Sequence, residues 1–336
     1  MTDKIKKLED YTKTKPPQLE LFELFGITNR DYSNTIELYD FTPKYKWGKT
    51  ERINGKFLEA LERTFECGQK RYKVRITPAN IKNSKGEEKY YYPGQREELV
   101  EDALRKLACE GRGVFLDDMA SVTFSLYQLE QELAARGHRY KRSEIKEALQ
   151  ICSKTGLDIE SEDGTSVLSS HIFETLFLSG REDRNSDGKK THCFVRFNPL
   201  VTASIKNNAF RQINYAKAMS FKSIIARQLH KRMSHVYKQA SITRPYHISL
   251  LTLIRDFGLT RYKWLSHNLR EVVQALEELT KEKVILSYSS NKTLDTTKRN
   301  MLVDVIFTIL PHKNFVSDVI KANDRQATNR NLLTFK

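Results

Sequence analysis

The chain has 336 residues, of which 57 are Lys or Arg and 42 are Asp or Glu, for a formal charge of +15. This length suits about two domains, and the 39% hydrophobic and 10% aromatic content supports real cores, which excludes a disordered chain. No apolar run approaches the roughly 18 residues of a spanning helix. The opening MTDKIKKLED lacks the apolar stretch of a signal peptide, and Cys67, Cys109, Cys152 and Cys193 sit singly, so the expectation is a cytoplasmic protein with reduced thiols.

Residues 1–50 read as an N-terminal arm, with KTKPPQ, ITNRDYSN and YDFTPKYKWGKT separating short apolar clusters. Within it lies PPQLELFELF (16–25). Two prolines disfavour helix just ahead of Gln18, leaving an extended peptide. Leu19, Leu21 and Phe22 could then enter an apolar pocket while Gln18 meets backbone groups at its mouth. The competing reading is a segment that folds back, with Leu21, Leu24 and Phe25 on one amphipathic turn.

From 52 to 92, RYKVRI and KYYY flank the turn signal NSKGEE (83–88), predicting a hairpin. Pro93-Gly94 opens a helix with Leu99, Ala103 and Leu107 on one stripe, stopped by Gly111-Arg112-Gly113. Strand-like VTFSL (122–126), a helix ending at Gly137 and a helix over 143–156 follow. Two alternating segments, LDIES and SVLSSHIFETLFL, then surround the turn Glu162-Asp163-Gly164. Helix, short strand, helix, turn, helix and two-stranded wing make a winged helix-turn-helix.

The second half repeats that order. YAKAMSFKSIIARQLHKRMSHVY predicts one long helix burying Phe221, Ile225, Leu229, Met233 and Val236. The strand YHISL and the helix LTLIRDFG come next, and Thr260 is the expected N-cap of a helix starting at Arg261. VILSYSS and MLVDVIFTIL flank a polar wing tip, NKTLDTTKRN, and a last helix near 312–322 precedes a polar tail. The expected fold is therefore α+β and helix-rich, with two tandem winged helices behind a flexible arm. The divisions are 1–50 arm, 51–205 first unit with its leading hairpin, 206–322 second unit and 323–336 tail.

Charge is uneven. Residues 1–50 and 51–200 are nearly neutral, whereas residues 201–270 hold 13 Lys or Arg and a single acid, Asp256. Such a field neutralises phosphates and releases counterions. In the helix from 261, Leu265, Leu269, Val272, Leu276 and Leu279 form the buried stripe, leaving Arg261, Tyr262, Lys263, Ser266, His267 and Arg270 for a major groove. Lys292, Lys298 and Arg299 in the wing, with Lys222, Arg227, Lys231 and Arg232 on the preceding helix, are the expected phosphate contacts. In the first unit Arg139, Lys141, Arg142 and Lys146, beside His138, crowd the start of the equivalent helix. Its wing is acidic through Asp158, Glu160, Glu162 and Asp163, so this unit either touches DNA with its helix alone or dimerises.

Catalytic look-alikes fail on spacing. Gly188-Lys189-Lys190-Thr191 lacks the first glycine of a phosphate loop at the required distance. His267 to Arg270 with Tyr288 lacks the partner Arg and spacing of a tyrosine recombinase, and Tyr90-Tyr91-Tyr92 lacks a His-x-His pair for a nicking metal. No Cys/His spacing suits zinc. The expectation is a non-enzyme needing no cofactor or metal.

Gln18-Leu19-Glu20-Leu21-Phe22 resembles the pentapeptide by which bacterial replication proteins bind the sliding clamp, with Glu20 in place of the commoner Ser or Asp. Together with the tandem winged helices and the basic second unit, the chain resembles plasmid replication initiators of the TrfA-like kind over about 93–322. The resemblance implies binding of double-stranded origin repeats, opening of an adjacent AT-rich stretch, and recruitment of the replicative helicase and the clamp. It also implies a homodimer formed through the first unit. A winged-helix transcriptional regulator on an operator palindrome is the alternative.

Overall fold

The computed structural model describes residues 31–48, 58–82, 86–178, 193–298 and 301–334. Two apolar cores organise the chain: one gathers side chains from Tyr32 to Met219, the other from Phe221 to Val319. Strands and helices both contribute heavily, as expected of an α+β fold.

The chain begins with β1 (Tyr32–Thr35) and the short α1 (Glu37–Phe41). Both lie within the part read as an arm, and that reading is corrected here. Tyr32, Ile36, Tyr39, Phe41 and Tyr45 are buried in the first core, and β1 pairs antiparallel with a strand far along the chain, Tyr32 opposite Asn214. The region is aromatic because it is core.

β2 (Leu61–Cys67) and β3 (Lys70–Thr77) form a hairpin, while β4 (Ala79–Lys82) and β5 (Glu88–Tyr91) form the one expected around NSKGEE. RYKVRI is thus paired with β2 and not with KYYY. α2 (Gln95–Leu107) buries Leu99, Val100, Ala103 and Leu104, and a π turn ends it where Gly111 takes φ 87°. β6 (Gly113–Leu116) and β7 (Met119–Phe124) lead to α3 (Leu126–Ala135). Ser125 caps α3 and Gln128 reaches back to its N–H, a capping box. α4 (Arg142–Lys154) buries Ile145, Ala148, Leu149 and Cys152.

The wing strands are β8 (Gly156–Ser161) and β9 (Val167–His171). They join β2 and β3 in a sheet ordered β2-β3-β8-β9. SVLSSHIFETLFL is therefore two strands, for β10 (Phe173–Phe177) leaves to pair with β11 (Cys193–Phe197), which continues through β7 to β6. α5 (Pro199–Lys206) and β12 (Arg211–Asn214), the partner of β1, complete this half.

The expected long helix is two: α6 (Tyr215–Ser220) and α7 (Ile224–Val236). Phe221 turns extended at ψ 131°, and Ser223 restarts the helix by accepting the Ala226 N–H. Phe221, Ile225, Leu229 and Met233 are buried as expected, but Val236 is exposed. β13 (Tyr246–Ser249), α8 (Leu250–Asp256), α9 (Leu265–Lys281), β14 (Ile285–Asp295), β15 (Met301–Pro311) and α10 (Lys313–Thr334) follow. The sheet order β13-β15-β14 is that of a simple winged helix. β14 runs into the stretch read as a polar wing tip, as far as Asp295. The stretch read as a tail continues the last helix, where Asn323 accepts from Arg211 and donates to the Lys238 carbonyl. No described helix is long and apolar enough to cross a membrane.

The two cores meet across a charged seam. Asp40, Glu98, Glu101 and Asp102 face Lys44, Arg105, Arg227 and Lys231, with Arg105 at 2.8 Å from Glu101 and Lys231 at 3.0 Å from Glu98. Four carboxylates meet four cations, which is the balance that lets charge persist away from water. Trp47 crosses the same seam, its Nε1–H donating to the Phe257 carbonyl at 2.6 Å.

Candidate nucleic-acid interface

α8 ends at Asp256, the chain turns at Gly258, whose φ of +61° needs a glycine-like backbone, and α9 starts at Leu265. Between them runs the loop Leu259–Trp264. Thr260 is not the N-cap: Trp264 holds that position without a side-chain capping bond. Arg261, Tyr262 and Lys263 thus stand on the loop ahead of the helix and not on its first turn.

A buried amide fixes this loop. Asn268, fully buried on the stripe between Leu265 and Val272, donates from Nδ2 to the Thr260 carbonyl at 2.8 Å. Its Oδ1 accepts the Tyr262 N–H at 3.1 Å. The Tyr262 hydroxyl donates to Glu271, which holds that phenol above its usual pKa, and the Tyr262 ring lies 5.7 Å from His267. Arg261, Lys263, Ser266, His267 and Arg270 are all exposed around this frame. The first turn of α9 carries no acid. The apolar stripe is as expected, with Leu269 half-buried.

Beside the helix, Lys292 is exposed on β14. Lys298 ends a 3₁₀ turn at the wing tip, and Arg299 lies outside the described residues. Lys222 is exposed ahead of α7, its backbone N–H bound to Glu278.

Three expected phosphate contacts are corrected, Arg227 and Lys231 by burial and Arg232 by an internal ion pair. Arg227 is fully buried with its Nε 3.3 Å from Glu98. Lys231 is buried between Glu98 and Asp102, whose charges hold its ammonium above the usual range against the opposing effect of burial. Arg232 pairs with Asp256 at 3.0 Å and donates to the Tyr246 hydroxyl. These cations answer carboxylates within the protein, so they hold the seam and leave no charge for a phosphate.

In the first unit Arg139, Lys141, Arg142 and Lys146 are exposed around the start of α4. Arg142 is tied to Glu130 at 2.7 Å and lies over the Tyr127 ring, while His138 is turned inward onto the Met219 carbonyl at 2.8 Å. The acids of the wing have neighbours that the sequence reading did not supply. Glu160 stands opposite Lys73 and Asp158 opposite Arg75, because β3 pairs with β8 in that sheet. On the other side of β3, Arg71 and Arg75 face Glu66 and Glu62. This face is a row of cations between two rows of acids, and offers no uniform field to DNA.

No family model matches the chain, and no curated protein matches it. Among solved structures, it is similar to domains 2 and 3 of RctB, with TM-score 0.50 and 10% identity over 82% of this chain and 96% of that one. A second structure of RctB domains 2–3 gives TM-score 0.46 at 11% identity, over 81% and 97% of the two chains. The Pi initiator protein in complex with iteron DNA gives 0.44 at 14% identity, over 65% and 91%. The first of these structures shows that the chain has the fold of the RctB domains, in agreement with the resemblance drawn from element order.

Proposed function

We propose that this protein is a plasmid-type replication initiator that binds double-stranded DNA through its second winged helix. The observation that carries the reading is the loop and first turn of α9, where Arg261, Lys263, Ser266, His267 and Arg270 are exposed together on a frame pinned by Asn268. A helix of this kind enters the major groove with its N-terminal residues against base edges. Lys292 and the neighbouring wing tip then meet phosphate, and Lys222 adds a further cation. The shared fold with the RctB domains supports the same reading. The role needs binding and recruitment, not catalysis. Tyr288, the residue a strand-transfer reaction would use, packs half-buried against the second core opposite Ile309.

In this reading the first unit, expected over 51–205, is the part built on the core from Tyr32 to Met219, and the basic second unit is the part built on the core from Phe221 onward. The origin holds repeated sites, opening occurs in adjacent AT-rich DNA, and host helicase and clamp are recruited. Gln18, Leu19, Leu21 and Phe22, which lie outside the described residues, supply the clamp contact. The first unit either adds a DNA contact through Arg139, Lys141, Arg142 and Lys146 or forms the homodimer.

Footprinting on the DNA flanking the gene tests the proposal. Several protected direct repeats at helical-turn spacing are expected, and a lone palindrome over a promoter would replace the initiator by a transcriptional regulator. Capture of purified sliding clamp, lost on changing Leu21 and Phe22 to Ala, tests recruitment separately. Sedimentation of the protein with and without DNA decides between dimerisation and DNA contact for the first unit.

A further inference from the structure

Two large apolar side chains stand in the most basic part of the surface. Trp264 is 55% exposed and Tyr262 40% exposed, on a loop whose other outward groups are Arg261 and Lys263. No acid occurs between Phe257 and Arg270. Tyr262 is accounted for by its bonds to Asn268 and Glu271, so it belongs to the frame. Trp264 is not. It occupies the N-cap position without capping, and the Lys263 ammonium lies 5.8 Å from its ring.

An exposed indole beside the Lys263 cation, on a loop that also exposes Arg261, suits an anionic partner that also presents an apolar group. In the major groove of DNA that group is the C5-methyl of thymine, the one apolar feature among the base edges. The N-cap residue of a helix entering the groove end-first lies at the depth of those edges. We propose that Trp264 packs on thymine methyl groups, and that Asn268 is the positioning residue that holds the loop from which it does so. This rests on the DNA-binding reading above and adds a specificity determinant to it. Asn268 acts before binding: by tying residues 260 and 262 to α9 it removes loop freedom that association would otherwise have to freeze.

The test uses the full chain and a duplex enriched from a random double-stranded library. Each dT in that duplex is replaced in turn by dU, which removes one methyl and nothing else. At one or two positions the affinity should fall about fourfold, the worth of one buried methyl-sized group. In Trp264→Ala the same replacements should have no further effect, because the partner of the methyl is already gone. Trp264 is exposed, so this variant should fold as the parent does, and Trp264→Phe should keep part of the dU sensitivity. Asn268→Asp retains Oδ1 but loses the donor to Thr260. It should bind the selected duplex more weakly and lose dU sensitivity, and far-ultraviolet dichroism checks that the helices persist.

A selected duplex in which no dU replacement alters binding overturns the inference while leaving DNA binding intact. So does an equal dU effect in the parent and in Trp264→Ala. Failure of the library to yield any enriched duplex removes the DNA-binding reading, and the inference with it.

Discussion

Arg227, from the second core, reaches Glu98, from the first, at 3.3 Å, and neither side chain is more than 2% exposed. Glu98 also receives Lys231 at 3.0 Å and the Gln228 amide at 2.6 Å, so three groups of α7 converge on one carboxylate of α2. Burial alone would raise the Glu98 carboxyl, but Lys231 and Arg227 hold it below its usual range.

Replacing Glu98 by Ala should therefore strand the buried Arg227 and leave Lys231 with Asp102 alone. The expected loss is about 3–5 kcal/mol of unfolding free energy, the scale measured when one partner of a buried pair is removed. Exchanging both members, Glu98→Met with Arg227→Met, should cost much less. Urea denaturation of both variants checks this. A single and a double variant of equal stability would mean that the unpartnered Arg227 carries no cost of its own.

His230 gives a pH dependence with a defined sign. It is buried between Phe221 and Phe315, and burial, with smaller effects from Lys217 and Lys231, pushes its imidazolium pKa from 6.5 down to about 3. The unfolded chain takes up this proton below 6.5 and the folded chain does not. Stability is thus fully present above pH 6.5 and falls as the solution is acidified towards 3, at about 1.4 kcal/mol per pH unit for one proton. Asp40, Glu98 and Glu101, whose carboxyls are held low by their cations, lose stability in the same direction but only below about pH 4. Thermal unfolding from pH 7 to 5 should show the loss, and His230→Phe should flatten it in that window.

What the sequence made legible was local and periodic. The stripe from Leu265 to Leu279 and the stops at Gly137 and Gly258 all follow from neighbours within a few residues. The break at Phe221 escaped because the apolar period runs through it in phase, and the only mark of it was Ser223, a good N-cap in an otherwise helical run. The buried cations escaped for a different reason. Lys231 is charged like any surface lysine, and the partners that bury it, Glu98 and Asp102, are on a helix of the first core. Asn268 could have been found: it sits three residues after Leu265 and four before Val272, where a polar side chain must find partners. The aromatic density of 32–47 was a similar sign that this stretch is core.

Gly258 joins backbone and side-chain demands at the helix-turn-helix corner. Its φ is +61°, and a Cβ there would stand 2.5 Å from Arg63 Nη1. Arg63 in turn donates to the carbonyls of Pro43 and Tyr45, so it has little room to retreat. Gly258→Ala should cost at least about 1 kcal/mol from the left-handed backbone alone, and more from the displaced guanidinium. Gly258→Asn, better suited to that backbone, should recover only part of the loss. Full recovery by Asn in a urea titration would show that the Arg63 contact is unimportant.

The internal pairing of Arg227, Lys231 and Arg232 separates two kinds of basic residue by their response to salt. A cation that neutralises a phosphate contributes about 0.9 to the slope of log affinity against log salt. Arg261→Ala, Lys263→Ala and Lys292→Ala should each lower that slope by roughly this amount, because all three parent side chains are exposed beside α9 or on the wing. Arg232→Ala removes a partner of Asp256 at 3.0 Å, so it should lower the unfolding temperature and leave the slope unchanged. Anisotropy of a labelled duplex between about 50 and 200 mM salt distinguishes the two responses. A reduced slope in Arg232→Ala at a temperature where the variant is folded would show that the seam opens to meet DNA, and the division drawn here between seam and interface would have to be redrawn.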